Sequence, residues 1–226
     1  MTFKKILTVA SHPDDEILGC GGTIKKFTES GSEVCTVILG EGMLSRGDAN
    51  ANAVGKLQKH CKKANEIIGV KDLREFSFPD NAFDSVPLLN IVKVVEDTID
   101  DFKPDVIFTH HGGDLNIDHR LTFQAVLTGC RPQGFKKSPE IYSFFIPSST
   151  DWTDGYVLNH FMPTMYVDVS DQIESKIAAL SEYKTEMREY PHSRSLESVR
   201  IISQYWGNRV GLHFAEPFTL IRRILY

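Results

Sequence analysis

Two short clusters of histidine and aspartate could bind a divalent cation. The first is HPDDE at residues 12–16, and the second is HHGGDLNIDHR at residues 110–120. Neutral imidazole and carboxylate groups are good ligands for a borderline cation, and a catalytic zinc site commonly has three protein ligands and one position for water. His12, Asp15 and His119 would supply those three ligands.

The aspartate beside the first two ligands could act as a general base. His12 and Asp15 are three residues apart, and Pro13 constrains the turn between them, so both can face one ion while Asp14 points elsewhere. A divalent cation lowers the pKa of bound water toward ~7, which makes a hydroxide available at neutral pH. We therefore expect Asp14 to accept a proton from the attacking water.

The elements that must position these clusters alternate between strands and helices. Short runs rich in Val, Ile and Phe predict strands at residues 6–10, 33–39, 73–78, 105–109 and 141–145. Apolar residues at three- and four-residue spacing predict helices near residues 17–30, 53–69, 87–102 and 119–130. This alternation predicts an α/β fold over residues 1–226, a single domain with a mostly parallel sheet and helices on both faces.

Both clusters follow the carboxyl ends of predicted strands, where open parallel sheets bind their ligands. Asp14 or Asp15 could instead cap the helix that starts near Glu16, and Asp118 could cap the helix that starts near His119. Either cluster taken alone is compatible with capping. Two such clusters at one edge of one sheet favour a metal site.

The same residues carry a family resemblance. The run SHPDDEILGCGGTI at residues 11–24 resembles the signature AHPDDE…GG of the LmbE-like, or PIG-L, N-acetylglucosaminyl deacetylases. The resemblance extends through LGEGMLSR at residues 39–46, through the Asp118-His119 pair, and to VGLHFAEPF at residues 210–218. It therefore covers most of the chain.

The resemblance implies a fold, a cofactor and a reaction. The domain would be Rossmann-like, and His12, Asp15 and His119 would hold one divalent metal ion, zinc in this family. Asp14 would be the general base, and Arg46 would contact the substrate. The reaction would remove the N-acetyl group from a small amino-sugar derivative, such as an N-acetylglucosamine glycoside, a sugar nucleotide or a glycolipid precursor.

The second cluster departs from the family pattern at one position. The family commonly has His-x-Asp-His, whose first histidine is thought to act as an acid or to stabilise the oxyanion, and this chain has Asn116 there. A side-chain amide can still donate a hydrogen bond to a developing oxyanion. Asp118 would orient the ligand His119 or a neighbouring polar group.

Protonation of the leaving amine then has several candidate donors. Asp14 could return the proton that it takes from water. His110, His111 and His192 are alternatives, and the sequence does not choose among these four side chains.

A segment near the carboxyl terminus has two interpretations. PHSRS at residues 191–195 could form a rim loop that carries His192 and Arg194 toward a sugar. It could equally be a connection to a last helix, capped by Ser193 or Ser195. In the first interpretation His192 is a substrate-binding residue.

Composition excludes several other classes of protein. The chain has 226 residues, of which 41% are hydrophobic and 24% charged, as in ordinary globular domains. The net charge of -5 argues against nucleic-acid binding, which depends on clustered Lys and Arg. The four cysteines lie far apart, which predicts buried free thiols. No apolar stretch approaches the ~20 residues needed to cross a bilayer, so we expect a soluble, cytoplasmic protein.

Two further features have predominantly structural interpretations. GCGG at residues 19–22 falls inside the first predicted helix, so it predicts close packing of helix on strand rather than a phosphate-binding loop. Trp152, Trp206, Phe144 and Phe145 are expected in the core rather than as a platform for a sugar.

Two other function classes stay open at the level of sequence. A metal-dependent phosphoesterase usually needs a second metal ion about 3.5–4 Å from the first, and therefore additional carboxylate ligands. A non-catalytic sugar-binding module on the same fold would account for Asn116 in place of histidine.

Overall fold

The computed structural model describes residues 3–43, 51–132, 138–153, 155 and 158–225, and strands and helices alternate in it as far as residue 144. In chain order the elements are β1 (Lys5–Ala10), α1 (Asp15–Glu29), β2 (Glu33–Gly40), α2 (Ala51–Ile67), β3 (Asp72–Phe78), a 3-10 turn (Phe83–Ser85), α3 (Leu88–Phe102), β4 (Val106–Thr109), α4 (Ile117–Gly129), β5 (Glu140–Phe144), β6 (Met165–Asp168), α5 (Ile173–Glu182), α6 (Leu196–Asn208) and β7 (Ala215–Arg222). The predicted strands and helices are all present, with ends shifted by at most two residues.

The strands form a single sheet in the order β3-β2-β1-β4-β5-β7-β6. Strands β1 to β5 pair in parallel, whereas β7 is antiparallel to both β5 and β6. The predicted α/β fold with a mostly parallel sheet is confirmed. The order reverses between β1 and β4, and that reversal creates the crevice in which such sheets bind ligands.

The two antiparallel strands were absent from the sequence prediction for a physical reason. Each residue of β6 is only half-buried, and β7 becomes half-buried after Phe218. Neither strand therefore contains the continuous apolar run that marks a strand covered on both faces.

Helices cover both faces of the sheet, as predicted. Helices α1, α2, α5 and α6 pack on one face, and α3 and α4 pack on the other. Side chains alternate along β1, so Ile6 and Ala10 contact the first group of helices while Leu7 and Val9 contact the second. Both faces of the central strands are therefore apolar, which leaves the strand ends as the place for polar groups.

Helix α1 approaches the sheet closely at its glycines. A Cβ atom on Gly19 would lie 2.5 Å from the ring of Phe144, and one on Gly22 would lie 2.9 Å from Val169. Cys20 between them has non-helical backbone angles, so the helix is kinked there. The predicted packing role of this glycine-rich segment is confirmed.

A buried carboxylate holds the kinked helix in place. Glu216 of β7 accepts hydrogen bonds from the backbone N–H groups of Gly22 and Thr23, at 2.9 and 2.7 Å. It also pairs with the Nζ atom of Lys176 on α5 at 2.6 Å, and Lys176 donates to the carbonyl oxygen of Leu18. Strand β7 and helix α5 thus fix the helix whose first residues follow the HPDD turn.

We expect Glu216→Ala to destabilise the fold by about 3–5 kcal/mol, because it leaves a buried Lys176 charge and two backbone donors without their acceptor. The free energy of unfolding can be measured by urea denaturation. Glu174→Ala is the matched control, since it breaks an ion pair with Arg200 at the surface and should cost about 0–1 kcal/mol. Similar losses for both variants would contradict the predicted role of Glu216.

The remaining structural predictions have mixed outcomes. The four cysteines are free and buried, as expected. Phe144 and Trp206 are buried, but Trp152 is 56% exposed, so its assignment to the core was wrong. It lies in the loop after β5, where its ring contacts His192.

None of the described helices combines the length and the apolar character that crossing a bilayer requires.

Candidate metal centre and active-site cavity

Three side chains from two strand ends converge at the switch between β1 and β4. His12 lies in the turn after β1, Asp15 begins α1, and His119 lies in the first turn of α4. The Oδ2 atom of Asp15 is 3.2 Å from the Nε2 atom of His119 and 3.4 Å from the Nδ1 atom of His12. One potential ligand atom from each side chain lies within 4.8 Å of the other two.

The turn that aims these groups is held in an unfavourable backbone conformation. Asp14 has a φ of 107°, which side-chain-bearing residues rarely adopt. Its N–H group donates to Glu16 at 3.0 Å. Glu16 in turn accepts from the hydroxyl of Tyr183 at 2.5 Å and from the amide of Asn65 at 2.9 Å. This buried network keeps Asp14 and Asp15 on different sides of the turn.

Each imidazole also faces a second carboxylate. The Nε2 atom of His12 is 2.9 Å from the Oδ2 atom of Asp118, whose other oxygen accepts from the backbone N–H of Phe83. The Nδ1 atom of His119 is 3.1 Å from the Oδ1 atom of Asp114. Metal-bound imidazoles usually donate their second N–H to such a group. Asp118 therefore orients His12. The sequence had suggested Asp118 as the partner of His119, but that partner is Asp114.

The electrostatics of the cluster favour positive charge. Burial opposes protonation of His12, but hydrogen bonds to Asp118 and Asp15 outweigh it and raise the pKa of His12 to about 10. Burial likewise opposes protonation of His119, yet Asp15 and Asp114 raise its pKa to about 9. The pKa of Asp15 lies well below its usual range despite burial, chiefly because the His119 imidazole is close. Buried carboxylates thus create a strongly negative environment for a cation.

The donor set fits a tetrahedral divalent ion. Bonds of about 2.0–2.2 Å to nitrogen and oxygen place the ligands of a tetrahedral zinc ion roughly 3.3–3.6 Å apart. The separations of 3.2 and 3.4 Å around Asp15 are close to that spacing. A second candidate set, His12, Asp80 and Asp118, shares His12 with the first and uses the Asp118 carboxylate that orients it. The chain therefore has a candidate metal-binding site in which His12, Asp15 and His119 are the best-matched ligands.

Asp14 lies beside this cluster but is not part of the ligand set. Its side chain is buried, and its Oδ2 atom is 3.3 Å from the Nη1 atom of Arg194. Burial raises the pKa of Asp14 well above its usual range, while Arg194 acts in the opposite direction. Asp14 thus lines the same cavity as the three candidate ligands, and in its ionised form its carboxylate can accept a proton.

A cavity of about 90 Å³ lies beside the candidate ligands. The described residues that line this cavity are His12, Pro13, Asp14, Asp15, Gly42, Asp80, Asn81, Asn116, His119, Glu186 and Arg194. Sequence reasoning missed Asp80, Asn81 and Glu186. The signal for the first two was present, because FPDN at residues 78–81 follows the carboxyl end of β3 as the two clusters follow β1 and β4. Glu186 follows a helix and carries no comparable signal.

Asn116 has a clear structural role. Its Oδ1 atom accepts from the backbone N–H of Asp118 at 2.8 Å, so Asn116 caps α4. Its Nδ2 atom donates to the Oδ1 atom of Asn81 at 3.1 Å. The alternative that Asp118 caps this helix was wrong, since its carboxylate faces His12 and Phe83.

Two of the candidate proton donors, His110 and His111, form hydrogen bonds with backbone groups. The Nε2 atom of His110 accepts the backbone N–H of Ser11 at 2.9 Å, and burial lowers the pKa of His110 well below its usual value. His110 is therefore neutral and supports β1 rather than donating a proton. The Nε2 atom of His111 donates to the carbonyl oxygen of Asn159 at 2.8 Å, outside the cavity lining.

The interpretation of residues 191–195 as a capped connection is confirmed for Ser195, and the contact with a sugar stays a prediction. Ser195 caps α6 by accepting the N–H of Ser198 at 2.9 Å, so the segment leads into the last helix. Arg194 lines the cavity, whereas His192 does not. His192 instead accepts the backbone N–H of Arg194 at 3.0 Å. Its predicted substrate contact would therefore have to lie beyond the cavity.

Arg46 lies outside the described residues, so its predicted contact with the substrate stays a prediction.

We expect Asp118→Asn to weaken zinc binding by roughly 10–100-fold, the usual effect of changing a carboxylate behind a metal-binding histidine. The variant can keep the acceptor for Phe83 while removing the negative charge beside His12. Competition with a chromophoric chelator measures the dissociation constant. Asp84→Asn, at an exposed aspartate of the 3-10 turn, is the control and should bind as wild type does. Equal affinities for the two variants would exclude this role for Asp118.

The fold and the site together define a Rossmann-like α/β protein with a candidate metal centre at the carboxyl edge of its sheet. The family profile described as PIG-L, GlcNAc-PI de-N-acetylase, matches residues 7–130, which is more than half of the chain. The chain belongs to this family.

Individual relatives extend the likeness over nearly the whole chain. Diacetylchitobiose deacetylase of Thermococcus kodakarensis is 29% identical over 96% of this chain and 83% of that protein. The crystal structure of a conserved protein from Thermus thermophilus is 25% identical, with a TM-score of 0.77 over 98% of this chain and 96% of that one.

A third likeness shows the fold alone. GalB, the 4-carboxy-2-hydroxymuconate hydratase of Pseudomonas putida, is 18% identical, with a TM-score of 0.78 over 99% of this chain and 98% of that one. Because a hydratase shares the architecture, the reaction must be argued from the site rather than from the fold.

Proposed function

We propose that this protein is a zinc-dependent deacetylase that hydrolyses the N-acetyl group of an amino-sugar derivative. The observation that carries the proposal is the convergence of His12, Asp15 and His119 beside a buried, non-ligating Asp14. Membership of the PIG-L family and the likeness to a diacetylchitobiose deacetylase support the same reaction.

His12, Asp15 and His119 would hold the metal ion. A divalent cation supplies Lewis acidity when bound, since it lowers the pKa of water and polarises the acetyl carbonyl. Asp118 and Asp114 keep the two imidazoles oriented and in a defined tautomer, with one nitrogen of each ring facing Asp15.

Asp14 moves the proton in both halves of the reaction. It accepts a proton as the oxygen of water forms a bond to the acetyl carbon. It then gives that proton to the nitrogen as the C–N bond breaks, so that acetate and a free amine result. Since His110 is neutral and His111 faces away from the cavity, Asp14 is the best-placed donor among the described residues.

The charge of the cavity favours an amino sugar over a phosphate ester. Asp14, Asp15, Asp80 and Glu186 line it, with Arg194 as the single cationic side chain of fixed charge among its described lining residues. Carboxylates accept hydrogen bonds from sugar hydroxyls and stabilise an ammonium product, whereas they repel a phosphate. The bond cleaved is therefore the N-acetyl amide of a small sugar derivative rather than a phosphate ester.

Metal stoichiometry separates this proposal from a phosphoesterase with two ions. We expect elemental analysis to find one zinc ion per chain. The second carboxylate set shares its histidine with the first, so simultaneous occupation would bring two cations onto one imidazole. Two ions per chain, together with phosphate release, would favour the phosphoesterase.

The test of the proposal is acetate release by the zinc-loaded protein from N,N'-diacetylchitobiose, N-acetylglucosamine, a UDP-linked N-acetyl sugar and N-acetylglucosaminyl glycosides. We expect release from at least one compound, loss of activity on chelation, and recovery when zinc is added back. A protein that carries one zinc ion and binds these sugars without releasing acetate would instead be a binding module.

The cytoplasmic location and the contact of Arg46 with the substrate stay predictions from the sequence.

A further inference from the structure

The guanidinium of Arg194 is fixed at the wall of the acidic cavity. Its Nε atom donates to the hydroxyl of Ser148 at 2.6 Å, and its Nη1 atom is 3.3 Å from the Oδ2 atom of Asp14. The side chain is 29% exposed. Its backbone is fixed as well, because Ser195, the next residue, caps α6. These contacts place a permanent positive charge beside the proposed general base.

Part of this guanidinium remains available to a ligand. Within the described residues Nη2 makes no hydrogen bond, while Nε and Nη1 are occupied by Ser148 and Asp14. Arginine has five N–H donors in a rigid planar fork. Arg194 lines the cavity and is partly exposed, so its guanidinium keeps N–H donors for a ligand bound there.

The position where the family commonly has a histidine cannot supply a cation here. Asn116 caps α4 with its oxygen and donates its amide to Asn81. Negative charge nevertheless develops on the acetyl oxygen when water adds to the carbonyl, and fixed donors in a cavity shielded from water stabilise it strongly.

We propose that Arg194 is a catalytic residue that donates an N–H group to the acetyl oxygen of the substrate and stabilises its negative charge in the tetrahedral intermediate. The proposal rests on the deacetylase function argued above. Arg194 transfers no proton, because a guanidinium does not deprotonate in proteins, so the amine still receives its proton from Asp14.

The competing explanation is that Arg194 only positions Asp14. The two explanations differ in a double-mutant cycle. A residue that acts only through the base has no effect once the base is gone. Donors that stabilise an oxyanion still contribute when the proton-transfer machinery has been removed.

The experiment measures kcat and KM for Arg194→Ala and Arg194→Lys, each in the wild-type and the Asp14→Asn background. We expect Arg194→Ala to lower kcat by about 10²–10³-fold, as for loss of one oxyanion donor, with a smaller change in KM. Arg194→Lys should recover part of the loss. At least a tenfold loss should persist in the Asp14→Asn background. Wild-type kcat for Arg194→Ala, or no effect of it in the Asp14→Asn background, would overturn the proposal.

Acetate binding to the zinc-loaded protein distinguishes failure of this proposal from failure of the proposed function. Isothermal titration with sodium acetate should show at least tenfold weaker binding to Arg194→Ala, even if the wild type releases no acetate from any compound. Arg200→Ala is the matched control, since its guanidinium pairs with Glu174 away from the cavity lining. Equal acetate affinities for wild type and Arg194→Ala would overturn the role of Arg194 whatever the substrate.

Discussion

Asp14→Asn should retain one zinc ion per chain and lose at least ~10²-fold in kcat. General-base catalysis commonly contributes 10²–10⁴-fold, and an amide cannot accept the proton of water. The substitution nearly preserves shape, and asparagine tolerates a positive φ better than most residues, so the strained turn should survive. Zinc content and kcat should be measured on the same purified protein.

Two further samples make this result decisive. Wild type that has been chelated and reloaded controls for incomplete metal occupancy. Asp15→Asn should show the opposite metal phenotype, because Asp15 is the carboxylate shared between His12 and His119. Full activity of Asp14→Asn would show that water needs no protein base here, and loss of zinc would show that base and ligand have been exchanged.

His12→Ala, Asp15→Ala and His119→Ala should each lose zinc and activity while the fold persists. All three side chains lie at strand ends outside the two apolar cores, so their removal creates no large apolar cavity. Loss of one of three ligands should reduce affinity by more than the ~100-fold expected for an outer carboxylate. Circular dichroism monitors the fold, and elemental analysis measures the zinc.

His160→Ala is the matched control for the two histidine variants, since its imidazole is exposed on the loop before β6. It should keep wild-type zinc content and turnover. Any one of the three ligand variants that behaves like this control identifies a residue that does not bind the metal.

The parallel half of the fold and the residues proposed for the metal centre could be predicted from local sequence. Buried parallel strands need continuous apolar runs, and their helices need a 3.6-residue period, so both appear in local sequence. His12 and Asp15 lie in one turn, and the rule that ligands bind at the carboxyl ends of strands located their partner His119 after β4. These features depend on a few consecutive residues or on topology alone.

The hydrogen-bond partners of those residues come from tertiary packing and could not be predicted. Asp118 pairs with His12 across 106 residues, and Arg194 reaches Asp14 across 180. Such pairs depend on how α4 and the segment before α6 pack against the sheet edge, which no local pattern encodes. Burial and neighbouring charges then shift the pKa of each group: burial raises the pKa of Asp14 and lowers that of His110, whereas hydrogen bonds to Asp118 and Asp15 outweigh burial and raise that of His12. The sequence gives the chemical type of each side chain, whereas the contacts and solvent exposure of that side chain are defined only in the folded chain.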